Sequence, residues 1–247
     1  MPERDSFANT LLVAIGLSLV CSLLVAGTAV LLKPNQLENA ERFNRRTILD
    51  VAGLYEPGVD IDGLFASFEV RTVDLSNGQY VDAMEVGVDV PIPDELDLAR
   101  IHRRARFQTV YILRTSGDIE QVILPVYGSG LWSTMRGYLA VAADGTTIRG
   151  LGFYEHGETP GLGDQIDDAE WRTQWSGKRI YDDQGNARIE VVRGTVHPGA
   201  AAVYQVDGIS GATLTGKGVT DLVRYWTGPH GFGAYLGKLR EQFDAAR

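Results

Sequence analysis

The chain patterns as an α+β protein behind a single membrane-spanning helix. Three observations predict this: an uncharged N-terminal run, paired β-rich runs around glycine-containing turns, and apolar residues at helical spacing near the end. Residues 11–32, LLVAIGLSLVCSLLVAGTAVLL, carry no charge. At 1.5 Å per residue they span roughly 33 Å, enough for a bilayer core. A signal peptide would have a shorter apolar stretch of about 7–15 residues after a basic start. Here the run is longer and follows Glu3-Arg4-Asp5, so it reads as an uncleaved anchor over 11–33 after a short tail, residues 1–10. Cys21, mid-span, is small and tolerant of an apolar setting.

Pro34 is expected to end that helix. Gln36 to Ala52 then reads as a second helix with Ala40, Phe43, Ile48 and Val51 on one side and Gly53 as its stop. Residues 55–100 are acidic and loop-rich, with Pro57, Pro91 and Pro93, and are expected to pack as short strands and connections. The stretch 34–106 is therefore read as a helical linker and irregular region packed on a domain formed by 107–247. Within that domain, Phe107–Arg114 and Ile119–Val126 flank Ser116-Gly117-Asp118, a hairpin signature. Tyr138–Ala142 and Thr147–Phe153 repeat the arrangement around Asp144-Gly145, and Ala187–Arg193 is a further strand. Helices are predicted near 164–174, 214–227 and 232–244.

Composition excludes more than it identifies. A formal net charge of −9 argues against nucleic-acid binding, which needs a basic face. One cysteine rules out a disulfide framework or a Cys-rich metal or iron–sulfur centre within the chain. The histidines at 102, 156, 197 and 230 show no metal-ligand spacing, and no metal site is predicted. There is no internal repeat, and no Gly-x-Gly-x-x-Gly run.

The chemistry gathers in two segments. The first is DGISGATLT, Asp207 to Thr215. Gly211 and Ala212 keep bulk away, so a large group can approach the backbone. From Thr215 the residues Val219, Leu222, Val223 and Trp226 fall at helical spacing, so a helix begins at or just after the loop. Its N–H groups and positive dipole end suit a phosphate, with the Asp207 carboxylate and the Lys217 cation in reach. The plain alternative is that Ser210 or Thr213 is an N-cap. The second segment pairs Gly130-Leu131-Trp132-Ser133 with His156-Gly157-Glu158-Thr159-Pro160-Gly161-Leu162-Gly163. Pro160 and its glycines suit a rigid turn. His156 and Glu158 are candidate acid and base, while Trp132 and Tyr127, taken alone, read as core residues.

The DGISGATLT run resembles the flavinylation motif of proteins that carry FMN through a phosphoester to the threonine closing Ser-Gly-Ala-Thr, here Thr213. Together with the second segment and the tail Gly228-Pro229-His230-Gly231-Phe232-Gly233-Ala234-Tyr235-Leu236, the chain is similar to the NqrC family, the C-type subunits of the Na+-translocating NADH:quinone oxidoreductase. The resemblance implies a soluble FMN-binding domain and an electron-relay role in a Na+-pumping translocase. It implies covalent FMN on Thr213, with Asp207, Ser210, Gly211, Ala212, Thr215 and Lys217 around the phosphate. Glu158, Thr159, Gly161, Leu162, Gly163 and Trp132 would wall the ring. No catalytic base is needed, because the flavin carries the hard chemistry. The implied partners are the membrane, flavin and iron–sulfur subunits of the same complex, and an FAD:protein FMN transferase for maturation. The implied location is a bacterial inner membrane with the domain facing outward. The basic flank Lys33, Arg42, Arg45 and Arg46 points the other way under the positive-inside tendency; the outward placement is the expectation taken. Two alternatives stand beside it: the homologous covalent-FMN subunit of an Rnf-type ferredoxin:NAD complex, and a non-redox membrane-tethered binding module.

Overall fold

A computed structural model describes residues 7–82 and 88–246. The first part of the predicted tail and residues 83–87 of the irregular region lie outside the described residues. The chain divides into two compact units, Met1–Phe43 and Asn44–Arg247.

Helix α1 (Phe7–Val51) runs through both the apolar stretch and the polar segment after it, with Pro34 inside. The expected break at Pro34 does not occur. A proline removes one i→i−4 hydrogen bond and crowds one carbonyl, at about 3 kcal/mol. Propagation on either side costs little once the ladder exists, and Gln36, Leu37, Glu38, Ala40 and Glu41 mostly favour it. Among the described residues α1 is the one helix long and apolar enough to cross a membrane, by length and composition.

The second unit is built on a six-stranded antiparallel sheet. Its strands are β1 (Phe68–Asp74), β2 (Gln79–Val81), β5 (Phe107–Thr115), β6 (Asp118–Ser129), β7 (Thr134–Ala142) and β8 (Ile148–Glu155), in the order β2-β1-β5-β6-β7-β8. A small separate ribbon pairs β3 (Asp89–Pro91) with β4 (Arg103–Ala105). The predicted β5–β6 hairpin closes through Ser116 and Gly117, with φ of 57° and 95°. Positive φ at both central residues is the turn whose twist matches that of paired strands. At the β7–β8 turn, Asp144 Oδ1 accepts from the amides of Thr146 and Thr147 at 2.9 and 2.8 Å.

The short strands expected within 55–100 include β1 and β2 of the main sheet and β3 of the small ribbon. Strand β1 pairs with β5 along its whole length, from Phe68↔Leu113 to Asp74↔Phe107. Its sequence, FEVRTVD, alternates strand-favouring Phe68, Val70 and Thr72 with charged residues, a local strand pattern that does not say which strand it pairs with.

Both faces of the sheet are covered. Val110, Ile112, Leu124, Leu139 and Val141 pack with Leu222, Trp226 and Leu236 of α4 (Thr213–Thr227) and α5 (Gly233–Ala245). Phe68, Ile123, Tyr138 and Ala140 pack with Ile48, Leu49 and Val51 at the end of α1, and Ile61, Leu64 and Phe65 of the short helix α2 (Ile61–Phe65) pack against them. The helix expected near 164–174 is two pieces, a 3₁₀ turn Gly163–Asp167 and α3 (Ala169–Thr173). Asp168 divides them: its side chain accepts from the Glu170 and Trp171 amides and starts a new helix. The strand expected over Ala187–Arg193 shortens to β9 (Glu190–Val191), parallel to β10 (Gln205–Val206).

Candidate functional site

The site forms where two tight turns meet the start of α4. In the first, the Ala212 amide donates to the Ile209 carbonyl at 3.1 Å, and Gly211 sits at φ +74°. A turn with positive φ at its third residue calls for glycine there. In the second, Thr159-Pro160-Gly161-Leu162, the Leu162 amide donates to the Thr159 carbonyl at 3.0 Å, and Gly161 has φ +76°. Proline before glycine is the residue order such a turn favours. The turns touch: a Cβ on Gly211 would lie 2.9 Å from Leu162 Cδ2.

Helix α4 begins at Thr213 with Ala212 in the N-cap position, and no side chain caps it. The simple capping role for Ser210 or Thr213 therefore does not apply. Both side chains are exposed. Thr215, two residues on, is fully buried, and its hydroxyl donates to Glu158 Oε2 at 2.5 Å. Of the two threonines in the run, only Thr213 presents its hydroxyl outward at an uncapped helix start.

Asp207 is used within the protein. Its Oδ1 accepts from the Val196 amide at 2.6 Å, its carbonyl accepts from Trp171 Nε1 at 2.9 Å, and its amide donates to Gln174 Oε1 at 3.0 Å. Helix α3 thereby fixes the loop that leads to Thr213. Lys217 pairs with Asp221 one turn along α4.

Glu158 also turns inward. Its Oε1 accepts from the Leu131 and Trp132 amides at 2.9 and 3.1 Å. His156 Nε2 lies 2.8 Å from Asp167 Oδ2, and His156 Nδ1 accepts from the Glu158 amide at 3.3 Å. The His156 ring thus meets the backbone of Glu158 and not its carboxylate, which leaves no acid/base pair between the two. Trp132 is 70% exposed, contrary to its reading as a core residue, because its loop is held by backbone hydrogen bonds and not by the indole. Tyr127 packs inward, 4.7 Å from the Trp226 ring.

Alongside Thr213 runs a groove of about 860 Å³ whose lining includes Val191, Arg193, Gly208, Ser210, Thr213 and Lys217. Trp132 and residues 158–163 do not line it. They form a separate group of surfaces at the same helix start, where Leu131, Trp132, Leu162 and Leu214 are exposed apolar side chains. Sequence reasoning missed the groove's 190–195 wall. Nothing local signals it, since it is placed by the parallel β9–β10 pairing and by the Gly208 amide donating to the Gly194 carbonyl at 2.7 Å.

The arrangement offers an outward hydroxyl at an uncapped helix start, apolar surfaces beside it and a groove along the helix, a donor and shape set that fits a flavin phosphate and ring. Residues 130–228 match the FMN-binding domain family, so the chain carries an FMN-binding domain. Across nearly its full length the chain resembles the NqrC proteins, the C-type subunits of Na+-translocating NADH-quinone reductases. That of Pseudomonas aeruginosa is 45% identical, covering 98% of this chain and 99% of the relative. That of Yersinia pestis is 43% identical, covering 97% and 95%. The crystal structure of Shewanella oneidensis NqrC superimposes with a TM-score of 0.74 at 33% identity, covering 83% of this chain and 99% of that one. The chain belongs to the NqrC family of Na+-translocating NADH-quinone reductase subunits.

Proposed function

We propose that this protein is a membrane-anchored subunit that relays electrons through FMN held by a phosphoester to Thr213, within a Na+-pumping NADH:quinone oxidoreductase. The observation that carries the attachment point is the contrast between an exposed Thr213 and a buried, hydrogen-bonded Thr215. The flavin supplies the redox chemistry; the chain's residues hold and orient it. The N–H groups of the first turn of α4 receive the phosphate, while Ser210, Gly211 and Ala212 leave room around it. Thr159, Gly161 and Gly163 shape the turn beside the ring, with Leu162 and Trp132 as its apolar surfaces. Asp207 and Lys217 contribute by ordering the loop and by local charge.

Residues 11–33 anchor the chain in the bacterial inner membrane, and the flavin domain extends before 107 to include β1. The partners are the other subunits of the complex and an FAD:protein FMN transferase, since Thr213 has no neighbouring base in sequence to activate it. The domain faces outward, against the bias of its basic flank.

Co-expression with the transferase tests the attachment. Wild type should fluoresce on a denaturing gel, Thr213→Ala should lose that covalent signal, and Thr215→Val should keep it. Peptide mass spectrometry placing the adduct on Thr215 overturns the assignment. No covalent flavin on wild type favours the tethered binding module instead.

A further inference from the structure

Glu158 is 4% exposed, and among the described residues no basic side chain forms an ion pair with it. A buried carboxylate is costly unless its oxygens are satisfied by donors. Here Oε1 takes the amides of Leu131 and Trp132, and Oε2 takes the Thr215 hydroxyl. Two glycines make the space. A Cβ on Gly130 would lie 2.3 Å from Glu158 Oε1, and one on Gly163 would lie 2.9 Å from Glu158 Cβ and 2.8 Å from Thr215 Oγ1. One side chain therefore joins three segments far apart in sequence: the 130–133 loop, the 158–163 turn and the first turn of α4.

We propose that Glu158 is the positioning residue that assembles the flavin seat, fixing the loop that carries Trp132 against the helix start that carries Thr213. The flavin part of this rests on the function proposed above; the assembly of the segments does not. The role belongs to hydrogen-bond geometry, not to negative charge. A glutamine in the same rotamer still accepts from both amides through its oxygen, and its NH₂ donates to the Thr215 oxygen. An alanine does neither.

The test uses the full chain in detergent, co-expressed with the transferase, as wild type, Glu158→Ala, Glu158→Gln and Thr215→Val. Two quantities are read: hydrogen exchange at the Leu131 and Trp132 amides, and fluorescence anisotropy of the attached flavin. In Glu158→Ala those amides should exchange about tenfold faster or more, as expected when a protecting hydrogen bond is lost, and anisotropy should fall toward that of a freely rotating ring. Glu158→Gln should stay near wild type in both. Thr215→Val should keep the amides protected and lower the anisotropy in part. This variant and Glu158→Gln carry the test if Glu158→Ala does not fold. Protected amides in Glu158→Ala, wild-type anisotropy in Thr215→Val, or a Glu158→Gln as loose as the alanine variant would overturn the proposal. A wild type with no covalent flavin counts against the flavin reading alone, and the exchange measurement still decides the role of Glu158.

Discussion

Thr213 and Thr215 show how far a single residue can be read from sequence. Spacing places both hydroxyls near a helix start, and the family resemblance chooses the first. What separates them physically is Glu158, 57 positions upstream, which buries the second hydroxyl. Asp74 is a comparable case away from the site. It is 3% exposed, and it accepts from Arg106 Nη2 at 2.7 Å and from the Ser76 amide and hydroxyl at 2.9 and 2.7 Å. The Arg106 guanidinium, helped by Ser76, holds its carboxyl down at about 2. The unfolded chain binds that proton first, near the ordinary value of about 4, so the contribution is complete above about pH 4 and is lost as pH falls through about 2. Asp74→Asn should cost about 2 kcal/mol at neutral pH. Its stability should also fall less steeply than that of wild type below about pH 4. Denaturant titrations across that range check both, and an unchanged acid slope would refute the assignment.

At the scale of elements, local chemistry is legible wherever turns are short. The Ser116-Gly117 hairpin, the Pro160-Gly161 turn and helices α4 and α5 all follow from residue type and spacing. The Pro34 break fails because a single proline is outweighed by good helix formers around it, and β1 is foreseen only as one of several short strands because its pairing with β5 is set by topology and not by local pattern. The two site glycines give a paired prediction. Gly161 and Gly211 have nearly equal positive φ, but a Cβ on Gly161 meets nothing within 4 Å, whereas one on Gly211 meets Leu162. Each alanine variant should lose about 1 kcal/mol from backbone strain, about 2–4 °C in Tm for a domain of this size. Only Gly211→Ala should also displace Leu162, which is read as a shift in the emission of attached flavin. An equal emission shift in Gly161→Ala would show that strain alone accounts for it.

For the whole molecule the prediction concerns the side of the membrane on which the flavin domain stands. Lys33, Arg42, Arg45 and Arg46 follow the apolar run, and by charge alone they would stay in the cytoplasm. The outward placement proposed above rests on the family. Protease added to intact spheroplasts should digest the chain beyond about residue 34, following the apolar span. Protection in spheroplasts with digestion only in inverted vesicles would reverse the orientation.

The long apolar helix, the α+β class, the hairpins and the two segments proposed to carry the site are legible in the sequence alone, because each rests on local periodicity, turn residues or an uninterrupted apolar run. Only the tertiary structure decided that β1 completes the sheet, that Trp132 is exposed, that the 190–195 segment walls a groove, and that Glu158 holds two loops and a helix together. Those depend on hydrogen bonds between residues tens of positions apart. Their partners are chosen by chain topology, which no local pattern encodes.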